Sequence, residues 1–165
     1  MSDSTGPLPV ILAAEESSLT RLLDAAFGPS TCESALIRAV ISRGDGHHAW
    51  ILEEDGVPVA FILYTVATRG AEAVGYHLAP VAVHPDFQGR GSGSELIRRT
   101  LAMEPLSSSA VFVLGDPAFY ERFGFSRVSS ALCPYDEENR HFRALRWDDS
   151  GEPFVIGYAA SFGGL

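Results

Sequence analysis

Apolar residues in the first third of the chain recur at helical spacing in two stretches. Between residues 17 and 27 they fall at intervals of three and four, which predicts a helix with one apolar face. That face comprises Leu19, Leu22, Leu23, Ala26 and Phe27. A second helical stretch runs from Cys32 to Ser42 and ends at Gly44, a residue type that often stops helices. The short apolar run from Pro9 to Ala14 predicts a strand ahead of both helices.

The middle of the chain is rich in β-branched and aromatic residues, and its pattern predicts strands. His48–Glu53 and Val57–Val66 are two such runs, and the Asp55 and Gly56 pair between them is a strong hairpin signal. A third run spans Tyr76–Val83. Together these runs predict a sheet that begins antiparallel.

A glycine-rich segment follows the third run and leads into a further helix. This helix carries Leu96, Ile97 and Leu101 on one face, and the next strand is predicted at residues 110–114. Because a strand–helix–strand connection returns the chain in the same direction, the two flanking strands should lie parallel.

Capping residues predict a short helix after this strand. Asp116 suits the N-cap, Pro117 suits the first helical position, and Gly124 suits the left-handed residue that closes a helix. Residues 142–147 and 153–158 predict further strands. The predicted fold is therefore α+β, with a mixed, mostly antiparallel central sheet, one parallel strand–helix–strand crossover and flanking helices.

No repeat, low-complexity block or long linker divides the sequence, so we expect one domain over residues 8–165 after a flexible tail at residues 1–7. The chain has 165 residues, with 12 basic and 21 acidic side chains and a net charge of −9. Affinity for nucleic acid rests mostly on basic side chains that neutralise phosphates, so nucleic acid is not an expected partner.

Targeting and redox features point to the cytoplasm. The best apolar run, Val57–Leu63, is far shorter than the roughly 20 residues that cross a bilayer, and residues 1–7 do not resemble a secretory signal, so no membrane partner is expected. Cys32 and Cys133 lie far apart, which fits two inert thiols in a reducing compartment. His47 and His48 are adjacent and would face opposite sides of a strand, so no metal site is predicted.

The sharpest local chemistry lies between the third strand run and the following helix. It consists of Gln88, Gly89, Arg90, Gly91, Ser92 and Gly93. Alternating glycines let the backbone approach a bulky ligand, and the free amides of a helix N-terminus favour an anion. Residues 84–99 also carry three arginines and two acidic residues, a local reversal of the acidic chain. A diphosphate would suit this segment.

Three phosphate-binding templates compete for this segment. A P-loop requires a lysine after its glycines, and the chain contains no lysine. A dinucleotide fingerprint fits weakly, because Ser94 stands where its last glycine belongs. The third template, Q/R-x-x-G-x-G/A, is matched by Gln88, Gly91 and Gly93. It is the pyrophosphate loop of the GNAT superfamily of acyl-CoA-dependent N-acetyltransferases, which this chain resembles.

The resemblance extends beyond that loop. Val81–Gly93 is similar to the family's whole strand-to-helix segment, and Asp116–Phe125 is similar to its second acyl-CoA motif. The order of predicted elements matches the family from about Pro9 to Phe125. The chain also resembles a branch of small predicted N-acetyltransferases.

The resemblance implies roles for particular residues toward acetyl-CoA, the implied cosubstrate. Loop amides would hold the pyrophosphate, with Arg90 as a side-chain helper, and strand backbone would bind the pantetheine arm. Pro80 cannot donate a hydrogen bond, which also suggests a bulge there. The implied acetyl-CoA-binding residues are Val81, Ala82, Val83, Gln88, Gly89, Arg90, Gly91, Ser92, Gly93, Asp116, Phe119 and Tyr120.

Two residues are candidates for proton transfer. Tyr120 matches the family's usual general acid, and a phenol can protonate a departing thiolate. His77 lies where some family members carry a catalytic Glu, and an imidazole can act as a base near neutral pH. Glu53, Glu54 and Glu72 are further candidates for the base.

The predicted activity is transfer of an acetyl group from acetyl-CoA to a primary amine by direct attack in a ternary complex. A noncatalytic acyl-CoA-binding or sensing domain is the alternative, followed by a dinucleotide-dependent oxidoreductase. The acceptor is expected to be a small-molecule or peptide amine, and the negative charge of the chain favours a cationic one. Variable positions in residues 28–46 and 68–76 are expected to form its pocket. The resemblance also allows a homodimer.

Overall fold

The computed structural model describes residues 10–28, 32–44 and 46–164. The tail predicted at residues 1–7 lies outside the described residues, and the assignment of one domain to residues 8–165 stays a prediction. The strands and α-helices of the described residues are β1 Val10–Ala13, α1 Glu16–Phe27, α2 Cys32–Arg43, β2 His47–Glu54, β3 Val57–Arg69, β4 Glu72–Val83, α3 Ser92–Leu101, β5 Val111–Leu114, α4 Pro117–Glu121, β6 Ser126–Arg127, β7 Ala131–Leu132, β8 Phe142–Leu145 and β9 Phe154–Val155.

The main sheet has seven strands in the order β1-β2-β3-β4-β5-β8-β6. Every neighbouring pair is antiparallel except β4 and β5, which α3 connects as a parallel crossover. In the turn from β2 to β3, Asp55 and Gly56 both have positive φ, as the favoured two-residue hairpin requires. The α+β class, the hairpin and the single parallel crossover in this sheet are confirmed.

The C-terminal segment differs from the prediction. The strand predicted at residues 153–158 is reduced to the two residues of β9, which pairs in parallel with β7 in a separate two-stranded sheet. The strands β6 and β7 were not predicted, because two-residue strands carry too little alternation to be recognised. Their pairing depends on partners far along the chain.

Helices cover both faces of the main sheet. The first face packs against α3 and α4. The side chains buried in this contact include Ile62, Tyr64, Val111 and Val113 of the sheet and Leu96 and Ile97 of α3. The second face packs against α1 and α2, and its buried side chains include Leu19, Leu22, Leu23, Ile37, Phe61 and Leu63. Further along the second face, Phe112 and Phe142 pack against the C-terminal segment around Ile156. None of the described helices is long and apolar enough to cross a membrane.

The strands β4 and β5 separate at one end of the sheet. Their pairing stops at Leu78 and Val113, although β4 continues beside β3 as far as Val83. The β3–β4 register shifts at Ala79 and Pro80, which confirms the irregularity predicted at the proline. Among the described residues, β4 beyond Pro80 therefore has no strand partner on its β5 side, where the Gln88 side chain donates to the Val83 carbonyl oxygen at 3.4 Å, and a gap, the splay, separates the two strands.

Candidate functional site

The glycine-rich loop forms an open cup at the start of α3. Gly89 and Gly91 have φ of 78° and 81°, and nothing lies within 4 Å of the position where a Cβ would stand at either residue. Gly91 is the N-cap of α3, and no side chain caps the helix there. The first amides of α3 thus face an uncapped space with a partial positive charge. At Gly93 an added Cβ would lie 3.2 Å from Val83 Cγ2, so this glycine lets the helix pack closely on β4.

Arginine side chains surround this cup. The Arg90 guanidinium lies 5.2 Å from the Phe87 ring centroid. Arg122, at the end of α4, donates from Nη2 to Ser94 Oγ at 3.0 Å, and its guanidinium lies 4.8 Å from the Phe119 ring centroid. Sequence reasoning missed Arg122, because its approach to the first turn of α3 depends on how α4 docks. The cup is thus flanked by cations from two elements that are separate in sequence.

The helix α4 begins and ends as its sequence predicts. The Asp116 carboxylate accepts a hydrogen bond from the Ala118 amide at 3.0 Å, and Pro117 occupies the first turn. Gly124 has φ of 95°. Asp116 was predicted to contact acetyl-CoA, and its carboxylate contact in the structure is with the helix N-terminus. It acts there by fixing the direction in which α4 presents Tyr120.

Tyr120 is half-buried on the α3 and α4 face, directly after β5. A Cβ added to Gly115 would lie 2.6 Å from Tyr120 Cε2, so only glycine allows the ring to pack there. The ring also makes edge contacts with Phe119 and Phe125, at centroid distances of 5.0 Å and 5.9 Å. Burial raises the pKa of the Tyr120 phenol, which therefore keeps its proton at neutral pH.

His77 lies on β4, with its side chain on the opposite face of the sheet from Tyr120. It is 1% exposed, its ring stacks on Tyr158 at a centroid distance of 3.7 Å, and Nε2 lies 2.9 Å from the Gly157 carbonyl oxygen. Because a carbonyl only accepts, Nε2 carries the proton and Nδ1 holds a lone pair. Nδ1 is buried and has no hydrogen-bond partner in the described part of the chain.

Burial lowers the pKa of His77 to about 4, and the Gly157 hydrogen bond opposes this shift only in part. The imidazole is therefore neutral at physiological pH. Glu72 is exposed at the opposite end of β4 from the splay, and Glu53 and Glu54 lie two strands away from β4 at the β2–β3 turn. Of the candidate bases named from the sequence, His77 is the one that the fold places beside the splay.

A cavity of about 310 Å³ lies beside the splay on the His77 face. Its lining combines Leu78 and Ala79 of β4 with side chains from β5 and the C-terminal segment. The other lining residues are His77, also on β4, Leu114 of β5, and Tyr135, Tyr158 and Phe162 from later in the chain. The cavity lies outside the segments at 28–46 and 68–76 that were expected to form the acceptor pocket.

The candidate residues thus fall into two groups that meet at the splay. Gln88–Gly93, Arg122 and Tyr120 lie on the α3 and α4 side. His77 and the cavity lie on the other side, and Val81–Val83 form the strand edge between them. An uncapped helix N-terminus beside an unpaired strand edge is a geometry in which a long ligand with a phosphate end can bind across the sheet.

Comparison with known proteins decides the family. Residues 45–127 match the family model for the acetyltransferase (GNAT) domain. The chain belongs to this family. The matched GNAT segment contains both motifs that carried the resemblance, Gln88–Gly93 and Asp116–Phe125. The predicted family and the predicted enzyme class, an acyltransferase of the N-acetyltransferase type, are confirmed.

Relatives of this GNAT chain are named as uncharacterized N-acetyltransferases. It is 33% identical over 138 residues to the N-acetyltransferase YjhQ of Escherichia coli K12, a match that covers 77% of this chain and 76% of YjhQ. It is 31% identical over 106 residues to the N-acetyltransferase YhbS of Escherichia coli K12, a match that covers 63% of this chain and 58% of YhbS.

Solved structures show the same GNAT fold. The crystal structure of Escherichia coli YhbS in complex with CoA superposes with a TM-score of 0.82 at 24% identity and covers 96% of this chain and 95% of that one. A GNAT acetyltransferase from Brucella melitensis in complex with acetyl-CoA has a TM-score of 0.74 at 25% identity and covers 95% of this chain and 99% of that one. The fold predicted from the sequence is confirmed.

Proposed function

We propose that this GNAT protein transfers an acetyl group from acetyl-CoA to a primary amine by direct attack within a ternary complex. The observation that carries the proposal is the uncapped, glycine-lined N-terminus of α3, next to the unpaired edge of β4. Room above Gly89 and Gly91 fits a pyrophosphate, and the splay fits a pantetheine arm. The structures of YhbS with CoA and of the Brucella enzyme with acetyl-CoA support the same ligand here.

Backbone groups make most of the proposed contacts with acetyl-CoA, the acetyl donor. Amides of the loop Gln88–Gly93 and of the first turn of α3 hold the pyrophosphate, because no side chain caps this helix and Gly89 and Gly91 leave room for an anion. Arg90 and Arg122 add positive charge beside it. Backbone groups of Val81–Val83 bind the amide-containing arm as an added half-strand.

Acetyl-CoA supplies a thioester carbonyl that an amine can attack, with the coenzyme thiolate as the leaving group. Tyr120, which keeps its proton at neutral pH, donates it to the departing sulfur. His77 Nδ1 accepts a proton from the attacking nitrogen. The C–N bond forms, the C–S bond breaks, and one proton moves at each end.

The low pKa of His77 limits which protons its imidazole can accept. With a pKa of about 4 it cannot hold a proton taken from a free alkylammonium ion at neutral pH. It accepts one only as the nitrogen becomes acidic during bond formation. An amine must therefore reach the site already uncharged.

Release of free thiol tests the proposal. Purified protein is mixed with acetyl-CoA and each of a panel of amines, and the appearance of free thiol is followed over time. Binding of acetyl-CoA is measured separately by calorimetry. Amine-dependent thiol release is the expected result. Acetyl-CoA binding without turnover for any amine would favour the noncatalytic alternative, and NADH binding without acetyl-CoA binding would favour the oxidoreductase.

A further inference from the structure

We infer that the cavity on the His77 side of the splay is the acceptor subsite and takes a weakly basic amine on a flat apolar body, of the arylamine class. The inference rests on the proposed function and names its acceptor. It departs from the cationic acceptor that the charge of the chain favours.

The position of the cavity supports an acceptor rather than the donor. Ala79 and Leu114 in its lining stand where β4 and β5 separate, so the cavity opens at the point that a thioester in the splay would reach. The loop Gln88–Gly93 and Tyr120 lie on the other side of the sheet. A molecule in the cavity therefore approaches the splay from the face that the donor loop leaves free.

Aromatic rings dominate the cavity wall. The Tyr135 and Tyr158 ring centroids are 5.1 Å apart, and those of Tyr158 and Phe162 are 5.7 Å apart. Phe162 is 7% exposed, whereas Tyr135 is 54% exposed, so Phe162 forms the closed end and Tyr135 the mouth. Edge and offset contacts with such rings favour a planar apolar guest.

Charge chemistry excludes an ammonium ion from this wall. Among the described lining residues none carries a carboxylate, the neighbouring Asp136 carboxylate already accepts from the His141 and Phe142 amides, and His77 is a neutral imidazole. An ammonium that enters such a space loses its hydration without gaining a counter-ion, and contact with aromatic faces recovers only part of that loss. An amine that is already uncharged at neutral pH does not carry this penalty.

The unpartnered nitrogen of His77 supplies the specific polar contact. A buried acceptor without a partner is unusual, and Nδ1 is one here, on a residue that lines the cavity. Nδ1 is covered in the unliganded protein, so the N–H of a neutral amine would satisfy it once the His77 ring turns toward the cavity. That hydrogen bond would also place the nitrogen lone pair of the guest free to attack, with Nδ1 ready to take the proton.

Aniline and benzylamine test the inference, because both carry a single aromatic ring but only benzylamine is charged at neutral pH. Binding of each to the protein without donor is measured by NMR on the histidine ring nitrogens and on the tyrosine rings, and kcat/KM by thiol release with acetyl-CoA. We expect aniline to shift the His77 Nδ1 signal and to exceed benzylamine in affinity by about tenfold or more.

Tyr135→Glu should reverse the preference for aniline over benzylamine. Because Tyr135 is exposed at the mouth, the fold tolerates the change, and the new carboxylate should move the aniline-to-benzylamine ratio toward benzylamine by about tenfold. Val155→Glu is the matched control, since Val155 is 63% exposed and does not line the cavity, and it should leave the ratio unchanged.

Three results would overturn the inference. They are preference of the wild-type protein for benzylamine or a polyamine, absence of any His77 shift with aniline, and displacement of aniline by the chain of hexanoyl-CoA, which would make the cavity an acyl subsite. Each leaves acetyl-CoA binding and turnover intact, whereas failure of the proposed function appears as no acetyl-CoA binding or no thiol release. Aniline binding without turnover would support the cavity assignment and contradict the proposed catalysis.

Discussion

At the residue scale, the account assigns the proton that leaves with the thiol to Tyr120. Tyr120→Phe keeps the ring that packs on Gly115 and Phe119 but removes the hydroxyl. We expect kcat to fall by about 10²-fold or more, the usual contribution of a general acid, with little change in the dissociation constant of acetyl-CoA. Steady-state kinetics and calorimetry measure the two quantities.

Tyr76→Phe is the control for that substitution. Tyr76 is half-buried on β4 and contacts the His48 ring at a centroid distance of 5.3 Å, away from α4. It should leave kcat near the wild-type value. Equal loss of turnover in both variants, or none in Tyr120→Phe, would remove the role of Tyr120.

Burial of neutral His77 predicts a dependence of stability on pH. Its folded pKa of about 4 lies below the ordinary value of 6.5, so the unfolded chain binds the extra proton between these pH values. Stability from this group is present in full above about pH 6.5 and is lost as the pH falls toward about 4, by about 3 kcal/mol in total. Urea unfolding at pH 7 and pH 4.5 measures the difference.

His77→Phe should flatten this dependence, because the variant has no group to protonate. His84→Gln is the control and should keep the wild-type slope, since His84 lies half-exposed beside Asp86. An unchanged slope in His77→Phe would show that His77 is not a buried neutral group. Burial and the neighbouring His47 also lower the pKa of His48, so a smaller slope remains in the variant, whereas the carboxyl pKa of Asp149 is held at about 2 by hydrogen bonds from Ser130 and Ser129 that outweigh its desolvation.

Among the elements, the start of α3 is the one that we propose binds the pyrophosphate of acetyl-CoA. Gly91→Asp places a carboxylate in the cup and strains a residue at φ 81°. We expect acetyl-CoA affinity to fall by about tenfold or more, from charge repulsion and lost space. Gly70→Asp is the matched control, because Gly70 has φ of 59° with open space around it in the β3–β4 turn. It should lose similar stability and keep acetyl-CoA affinity; equal affinities in the two variants would contradict the assignment.

The helix α4 is held by its cap. Asp116→Ala removes the carboxylate that accepts from the Ala118 amide, so we expect about 1 kcal/mol of lost stability together with lower kcat, because Tyr120 is less well oriented. Asp116→Ser retains an oxygen at the cap and should recover most of both quantities. Thermal unfolding and kinetics provide the measurements. A large loss of acetyl-CoA affinity in Asp116→Ser would indicate a direct contact with the ligand instead.

Local signals explain which elements the sequence predicts well. The hairpin at Asp55 and Gly56, the ends of α4 and the glycine loop all depend on residues close in the chain, so their patterns identify them. The two-residue strand β9 and the contact of Arg122 with Ser94 depend on distant partners and were missed. His77 was identified as a candidate by position, but its buried neutral state depends on Tyr158 and Gly157, which lie about eighty residues later.

In the whole molecule, the proposed roles are divided between the two faces of the sheet. The α3 and α4 face presents the donor cup and Tyr120, and the other face presents the cavity and His77. The splay connects the two faces, and it forms because β4 is irregular at Pro80 and β5 ends at Leu114. The net charge of −9 favours a cationic acceptor, but the local wall of the cavity is apolar, and we propose that this wall selects the amine.

Binding of acetyl-CoA and of acetyl-pantetheine, compared by calorimetry on the full chain, tests whether the start of α3 holds a pyrophosphate. Acetyl-pantetheine keeps the thioester and the arm but lacks the pyrophosphate that the start of α3 is assigned to hold. The account predicts clear binding of acetyl-CoA and binding of acetyl-pantetheine weaker by about tenfold or more. Equal affinities, or no heat with any coenzyme A thioester, would contradict it.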